Sequence, residues 1–199
     1  MKLVAVTQRV TVVESYNERR DCLDQQWVTF LRECRIVPIL LPNSSSVVSD
    51  LLRRIPIDGI LLTGGNDLAD YGGNAPERDE TEFMMLDYAI AHSLPLFGVC
   101  RGMQVIQHYF GVPLSKVEGH VTKKQEIVVD GNAYQTNSYH SWGSLDTIED
   151  LPVWAKADDG VVKGIKHRTL PILGVMWHPE RNTPFHSYDL NLFRKFFHS

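Results

Sequence analysis

Short apolar runs alternate with helical patterns through the first hundred residues. Runs with the length and composition of buried strands cover residues 3–6, 37–42, 60–63 and 94–99. Apolar residues at three-to-four spacing predict helices over residues 23–34, 49–55, 80–92 and 103–110. Ser15 or Asn17 is expected to cap the first of these helices. Strands that alternate with helices need crossover connections, so the pattern predicts a parallel sheet covered on both faces.

The second half of the chain has a different pattern, in which short strand-like runs follow one another closely. These runs cover residues 126–129, 133–136, 154–157, 161–165 and 172–176. Turn sequences such as Asp130-Gly131 and Asp159-Gly160 separate them, and a last helix is predicted over residues 190–197. We expect mixed or antiparallel additions to the sheet. The predicted fold is one layered α/β/α domain over residues 1–199, with a mostly parallel central sheet.

Composition narrows the functional classes. The chain has 199 residues, 43% of them hydrophobic, and a net charge of −4, which excludes wholesale disorder and gives no electrostatic case for binding nucleic acid. No apolar run approaches the roughly 18 residues of a membrane span. Three cysteines without paired spacing argue against a disulfide framework or a zinc site. We therefore expect a protein of the reducing cytoplasm with no metal, no other cofactor and no membrane partner.

Cys100 lies in the most informative segment, Gly98-Val99-Cys100-Arg101-Gly102. Glycines two residues to either side of a nucleophile, between a buried strand and a helix, are typical of a nucleophile elbow. The N-terminus of the following helix favours a thiolate, and the Arg101 backbone N–H is the nearest donor for an oxyanion. The alternative is a small buried hydrophobic residue. That interpretation is preferred for Cys22 and Cys34, which are expected in or beside the first helix.

His178 is the favoured partner of Cys100, because it follows a strand-like run and precedes Pro179-Glu180. A strand that ends there puts the imidazole at the edge where α/β folds collect their sites. Glu180 can accept a hydrogen bond from the second ring nitrogen and so fix the tautomer. Without Cys100, a surface histidine and a surface glutamate would be the simpler interpretation.

Two further segments carry weaker signals. Gly64 and Gly65 end a strand and let backbone N–H groups approach a ligand, although a plain turn explains them equally well. The segment from Asn137 to Trp142 is dense in donors and aromatic rings, and a capped turn with packed rings is the simpler explanation there.

In this order along the chain, Thr63-Gly64-Gly65, Gly98 to Gln104 and His178-Pro179-Glu180 resemble the class I glutamine amidotransferase family. The Asn137-Ser138-Tyr139-His140 segment looks like its stand-alone γ-glutamyl hydrolase branch. The resemblance implies that Cys100 attacks the γ-carbonyl, His178 acts as base and then acid, and Glu180 orients it. It further implies an oxyanion hole from the backbone of Gly64, Gly65 and Arg101. The substrate-binding residues expected from it are Asn66, Gln104, Ser138, Tyr139, His140 and Trp142.

The leaving group stays open in the sequence. The loop around Ala69-Asp70 departs from the branch, and the short chain with its opening nine residues is similar to hydrolases of a γ-glutamyl phosphoramidate of cytidine diphosphate in bacterial capsule biosynthesis. The substrate is thus a small γ-glutamyl amide or a nucleotide-linked phosphoramidate. Candidate phosphate-binding cations are Arg101, Lys123-Lys124 and Lys163 to Arg168, for which a structural role (Arg101) or a solvated surface is the simpler interpretation.

Two other functions remain. The chain could be a glutaminase subunit that passes ammonia to a synthetase, whereas the leading hypothesis needs no protein partner. It could also be a non-catalytic γ-glutamyl binding protein.

Overall fold

A nine-stranded sheet runs through the centre of this computed structural model, which describes residues 1–198. The strands are β1 Lys2–Val6, β2 Arg9–Val13, β3 Glu18–Cys22, β4 Ile36–Leu40, β5 Gly59–Leu62, β6 Leu96–Val99, β7 Ser115–Lys116, β8 Val121–Val129, β9 Asn132–Tyr139, β10 Trp142–Gly143, β11 Val153–Ala157, β12 Val162–Lys166 and β13 Ile172–Val175. The helices are α1 Gln25–Glu33, α2 Ser45–Leu52, α3 Pro76–His92, α4 Arg101–Tyr109 and α5 Ser187–His198.

The order of the strands is β4-β1-β5-β6-β13-β12-β11-β8-β9. From β4 to β13 neighbouring strands are parallel, and from β13 to β9 they are antiparallel. This confirms the predicted α/β fold, with a parallel centre and antiparallel additions. At the Asp130-Gly131 turn between β8 and β9 both residues have positive φ, of 47° and 82°, which suits a tight two-residue hairpin.

Helices cover both faces of the parallel part, because successive side chains of a strand point to opposite faces. Val4 and Val6 of β1 belong to the cluster formed with α1 and α5. Ala5, between them, belongs to the cluster formed with α2, α3 and α4. The strands therefore read as continuous apolar runs. None of the described helices has both the length and the apolar composition to cross a membrane.

A hairpin that the sequence pattern did not predict precedes α1. It consists of β2 and β3, and both Ser15 and Asn17 lie in the turn between them, where Asn17 has a φ of 53°. The expected caps were therefore wrong: Asp24 caps α1 by accepting a hydrogen bond from the Gln26 backbone N–H at 2.9 Å. Cys22 was also misplaced, since it lies in β3 and not in a helix.

Several predicted boundaries were short. Helix α3 begins at Pro76 instead of residue 80, with the proline in the first turn, where its missing N–H costs no hydrogen bond. Helix α2 spans Ser45–Leu52, earlier in the chain than the predicted residues 49–55. Helix α5 begins at Ser187 instead of residue 190. The polar first half of β8 and the last three residues of β9 escaped prediction because cross-strand pairing, and not an apolar pattern, defines them.

Candidate active site

Cys100 occupies the turn between β6 and α4, with φ 52° and ψ −105°, a backbone conformation that a non-glycine residue rarely adopts. The turn depends on its flanking glycines. A Cβ on Gly98 would lie 2.6 Å from the backbone of Gly102, and one on Gly102 would lie 2.2 Å from the Leu62 carbonyl oxygen. The strand and helix are therefore in direct backbone contact. This is the geometry of a nucleophile elbow, at the place the sequence predicts.

His178 and Glu180 lie together at the end of the neighbouring strand, β13. The His178 Nδ1 atom is 2.7 Å from Glu180 Oε1, and both side chains are buried. Asn137 holds the histidine backbone on both sides: its Oδ1 accepts from His178 N at 2.9 Å and its Nδ2 donates to His178 O at 2.8 Å. In the sequence, Asn137 stands out only as part of a motif, and its role as a support for His178 is visible in the structure alone.

The charge of His178 depends on its two neighbours. Burial by itself lowers the pKa of His178, because water no longer solvates the imidazolium. The negative charges of Cys100 and Glu180, and hydrogen bonds to both, outweigh burial and raise this pKa to about 9. The imidazolium form is therefore favoured at neutral pH, which suits a thiolate–imidazolium pair.

Gly64 and Gly65 form the loop beside this pair. A Cβ on Gly64 would lie 2.5 Å from His178 Cε1, so only glycine lets the loop and the imidazole approach so closely. Gly65 has a φ of 98°. Arg78 fixes the loop from below, donating to the Thr63 carbonyl at 2.7 Å and the Gly64 carbonyl at 3.1 Å.

Arg101 is not available to a substrate through its side chain. Its guanidinium is buried and pairs with Asp79 and Glu82, and Glu82 also pairs with Arg78 at 2.9 Å. Burial raises the pKa of Glu82, but the two arginines more than offset this and hold it below its usual range. The candidate phosphate role of Arg101 is therefore excluded by its two carboxylate partners, whereas its backbone N–H remains beside Cys100.

A pocket of about 300 Å³ adjoins Cys100. Its lining residues are Gly65, Asn66, Asp67, Cys100, Arg101, Gln104 and Tyr139. Three predicted binding residues thus face it. Asn66 also holds the β2–β3 hairpin, since its amide accepts from Val10 N at 2.8 Å and donates to Val10 O at 2.9 Å.

The other three predicted binding residues lie behind the pocket wall. The Ser138 hydroxyl accepts from Lys163 Nζ at 3.0 Å, and His140 Nε2 is 2.7 Å from the same nitrogen. Trp142 contributes its carbonyl oxygen, which accepts from Gln104 Nε2 and from His140 Nδ1, each at 2.8 Å.

The lysines that were expected on a solvated surface differ in their exposure. Lys163 is 1% exposed, so a solvated surface was wrong for this residue. Lys166 lies exposed on a separate groove near α5, and Arg168 donates to the Glu149 carbonyl. Lys123 and Lys124 are exposed, as expected. Sequence pattern missed Lys163 because it occupies one position of a short strand that is buried on both faces.

A second, narrow cleft meets the first pocket at Gly65 and contains His178. Arg9 and Arg181 line it. The Arg9 stem lies against Gly65, where a Cβ would be 2.8 Å from Arg9 Cδ, and the Arg181 guanidinium lies 4.9 Å from the centre of the Tyr139 ring.

Within residues 1–198, no group of three or more His, Cys, Asp or Glu side chains could hold a metal ion.

A layered α/β fold with a cysteine at a strand-to-helix turn, and a histidine–carboxylate pair beside it, has the architecture of a cysteine hydrolase. The family described as "Glutamine amidotransferase class-I" matches residues 12–198. The chain belongs to this family, and is an amide hydrolase of its type.

Similar proteins agree with this assignment. The chain is 30% identical over 190 residues to gamma-glutamyl-CDP-amidate hydrolase of Campylobacter jejuni, covering 94% of each chain. It is 32% identical over 150 residues to anthranilate synthase component 2 of Thermococcus kodakarensis, covering 71% of this chain and 73% of the relative. The solved glutaminase domain of the Trypanosoma brucei protein CTPS, with bound acivicin, superposes with a TM-score of 0.69 at 14% identity, covering 100% of this chain and 94% of the other.

Proposed function

We propose that this protein hydrolyses the γ-glutamyl amide bond of a small substrate through a thioester on Cys100. The observation that carries the proposal is the conjunction of Cys100 on its strained turn with a His178 that bonds to Glu180 at 2.7 Å. Each member of this set is buried, and the Glu180 carboxylate bonds to the His178 ring. Such preorganisation favours a nucleophile and its base acting as a unit.

The reaction has two halves. The Cys100 sulfur attacks the γ-carbonyl carbon, and backbone N–H groups of the Gly64-Gly65 loop and of Arg101 stabilise the oxyanion. His178 then donates its proton to the departing nitrogen, and the C–N bond breaks. In the second half His178 takes a proton from water, which attacks the thioester. The C–S bond then breaks, releasing glutamate and restoring the Cys100 thiolate beside protonated His178.

Replacement of the nucleophile tests this proposal. Cys100→Ala should abolish glutamate release while circular dichroism and Tm show an intact fold. Cys34→Ala is the matched control, because it removes the other buried thiol at a distance from His178 and should leave kcat unchanged. A γ-glutamyl adduct on Cys100 in mass spectrometry is expected for the unmodified chain. Turnover by Cys100→Ala would overturn the proposal, and ligand binding without any adduct would favour a non-catalytic binding protein.

For the leaving group, we propose a phosphoramidate such as the nucleotide-linked one named for the Campylobacter relative. The position of Arg9 and Arg181 in the cleft that contains His178 supports this, since His178 must face the departing nitrogen. Guanidinium groups recognise phosphate oxygens well. Asp24 and Glu180 also line this cleft. Asp24 caps α1, and Glu180 bonds to His178 at 2.7 Å and pairs with Arg181 Nε at the longer distance of 3.5 Å.

Paired substrates separate the charged from the neutral leaving group. Arg9→Gln combined with Arg181→Gln should raise KM for a γ-glutamyl phosphoramidate about tenfold or more, through loss of charge-assisted hydrogen bonds. KM for an uncharged γ-glutamyl amide should stay unchanged. Arg20→Gln in the same hairpin is the control, because this arginine pairs with Glu18 outside the cleft. Equal effects on both substrates would contradict a phosphate-binding role.

A glutaminase subunit is the second candidate, favoured by the similarity to anthranilate synthase component 2. It predicts slow hydrolysis of glutamine by the isolated chain and stimulation by a partner. Brisk hydrolysis of a γ-glutamyl amide by the isolated chain would exclude it.

A further inference from the structure

Lys163 of β12 is a buried cation that the proposed reaction does not use directly. Its Nζ atom lies 2.9 Å from His120 Nδ1, 3.0 Å from Ser138 Oγ and 2.7 Å from His140 Nε2. The side chain is almost fully enclosed, with 1% of the residue exposed. A lysine is rarely buried to this extent unless its charge is compensated.

Each N–H group of the Lys163 ammonium has an acceptor. An ammonium has three N–H groups, and the three neighbours can all accept. His120 Nε2 lies 2.8 Å from Asp159 Oδ2 and so carries the proton, which leaves Nδ1 as an acceptor that Lys163 Nζ shares with Gln125 Nε2, each at 2.9 Å. His140 Nδ1 donates to the Trp142 carbonyl, which leaves its Nε2 as acceptor. The Ser138 hydroxyl donates to the His120 carbonyl at 2.8 Å and keeps a lone pair for Lys163.

Two neighbours of Lys163, Ser138 and His140, lie directly behind the wall of the pocket beside Cys100. Ser138 and His140 flank Tyr139, which lines the pocket. The Tyr139 carbonyl oxygen is 3.9 Å from Cys100 Sγ. Through His140 the chain of hydrogen bonds continues to the Trp142 carbonyl, which also holds Gln104. The wall and Gln104 are thus tied to one ammonium group.

We propose that Lys163 is a positioning residue, whose ammonium holds Tyr139 and Gln104 in place for the acyl group of the substrate. The inference rests on the proposed hydrolysis of γ-glutamyl amides. Loss of one proton would leave the amine with two N–H groups for three acceptors, so one of the three hydrogen bonds from Lys163 to the wall would be lost. The pocket wall would loosen, and substrate binding would weaken.

The proton on Lys163 is held loosely enough to be lost near neutrality. Burial lowers the pKa of Lys163 to about 7, although the negative charges of Asp159 and Cys100 partly counter it. The ionisable groups that face it are Asp159 from the turn before β12, Cys100 from the elbow, and His120 and His140, which lie side by side at the open end of the β8–β9 pair. Burial and the charge of Lys163 lower the pKa of His140 to about 3, so this ring stays neutral and keeps accepting.

Substitution of Lys163 gives the test, with Lys166→Met as the matched control. Lys166 is on the same strand, but exposed and at a separate groove. For the unmodified chain, KM for an uncharged γ-glutamyl amide and Kd for L-glutamate should rise as pH increases through about 7. Lys163→Met should raise both about tenfold, the loss of one charge-assisted hydrogen bond, and make them independent of pH across the neutral range. Lys166→Met should keep the original profile.

Asp159→Asn provides a second variant at a half-exposed position, in case Lys163→Met fails to fold. Removing the negative charge should move the rise in KM and Kd to lower pH, while Asp158→Asn should not move it. A flat profile in the unmodified chain, or an unmoved one in Asp159→Asn, overturns the role of Lys163 even when hydrolysis is brisk. Glutamate binding with the expected profile, but no hydrolysis, would retain this role and overturn the proposed function instead.

Discussion

Single glycines control the distances between the reacting groups. Gly98 lets strand β6 touch helix α4, Gly102 lets this helix touch Leu62 of β5, and Gly64 lets its loop touch the His178 ring. At each of these positions a Cβ would come within 2.6 Å of another atom, which real Cβ atoms do not tolerate. The contact at Gly64 differs from the others because it is made with a side chain of the site itself.

Gly64→Ala should therefore displace His178. We expect kcat to fall about a hundredfold, which is the loss of rate typical of a misplaced catalytic group. Tm should change little. Gly111→Ala is the control: this glycine has a φ of 81° and open space around it, so the substitution adds backbone strain without touching the site. Steady-state kinetics and thermal unfolding distinguish the two variants. Normal kcat in Gly64→Ala would contradict the close approach.

Glu180→Gln should change the pH dependence of turnover. His178 must be protonated to donate to the leaving group in the first half of the reaction, so kcat/KM should fall as pH rises through the His178 pKa of about 9. The carboxylate of Glu180 is one of the charges that raise this pKa, and its removal should move the fall in kcat/KM to lower pH. A pH profile of kcat/KM measures the shift. An unmoved alkaline limb would show that Glu180 does not act on His178.

At the scale of elements, helix α3 joins the two halves of the site. Arg78 on this helix holds the Gly64-Gly65 loop, and Asp79 and Glu82 hold Arg101 at the start of α4. Glu82 lies between both arginines and is fully buried. The backbone donors on both sides of Cys100 therefore depend on one buried ionic network.

Removal of Glu82 should destabilise the protein strongly. Glu82→Ala leaves Arg78 without its carboxylate partner, and breaking a buried ion pair in this way typically costs about 3–5 kcal/mol of unfolding free energy. Glu77→Ala, on the same helix, removes an exposed pair with Arg19 and should cost about 1 kcal/mol or less. Urea denaturation of both variants checks the difference. Similar costs would contradict the central position of Glu82.

At the scale of the whole molecule, helix α5 at the end of the chain closes the core begun by α1. Phe193 is fully buried and packs with Phe30 at 4.9 Å and with Phe97 of β6 at 4.2 Å between ring centres. Three distant segments thus share one aromatic cluster. The strand that delivers Cys100 is supported on this face.

Phe193→Ala should lower the unfolding free energy by about 3–5 kcal/mol, since it removes a buried aromatic ring and leaves a cavity. Val28→Ala, at an exposed position of α1, should change it by less than about 0.5 kcal/mol. Thermal and urea unfolding give both values. A small effect of Phe193→Ala would mean that α5 contributes little to the core.

Hydrophobic pattern alone determined the parallel half of this protein. Buried strands read as apolar runs, and glycines around Cys100 mark a sharp turn, so the fold class, the elbow and the His178-Glu180 pair were predictable from local sequence. The β2–β3 hairpin was not, because it lies outside the sheet and its polar strand β3 carries no apolar alternation.

Only the tertiary structure decided which polar residues face the substrate and which support them. The family resemblance implies that Ser138 and His140 bind substrate, yet they turn towards Lys163, and Arg101 turns towards two carboxylates. The physical reason is that a buried charge needs partners, and these come from strands and helices far apart in the chain. The local hydrophobic pattern predicts which face of a strand or helix is buried. It does not predict which group, distant in the chain, accepts the hydrogen bonds of a buried cation.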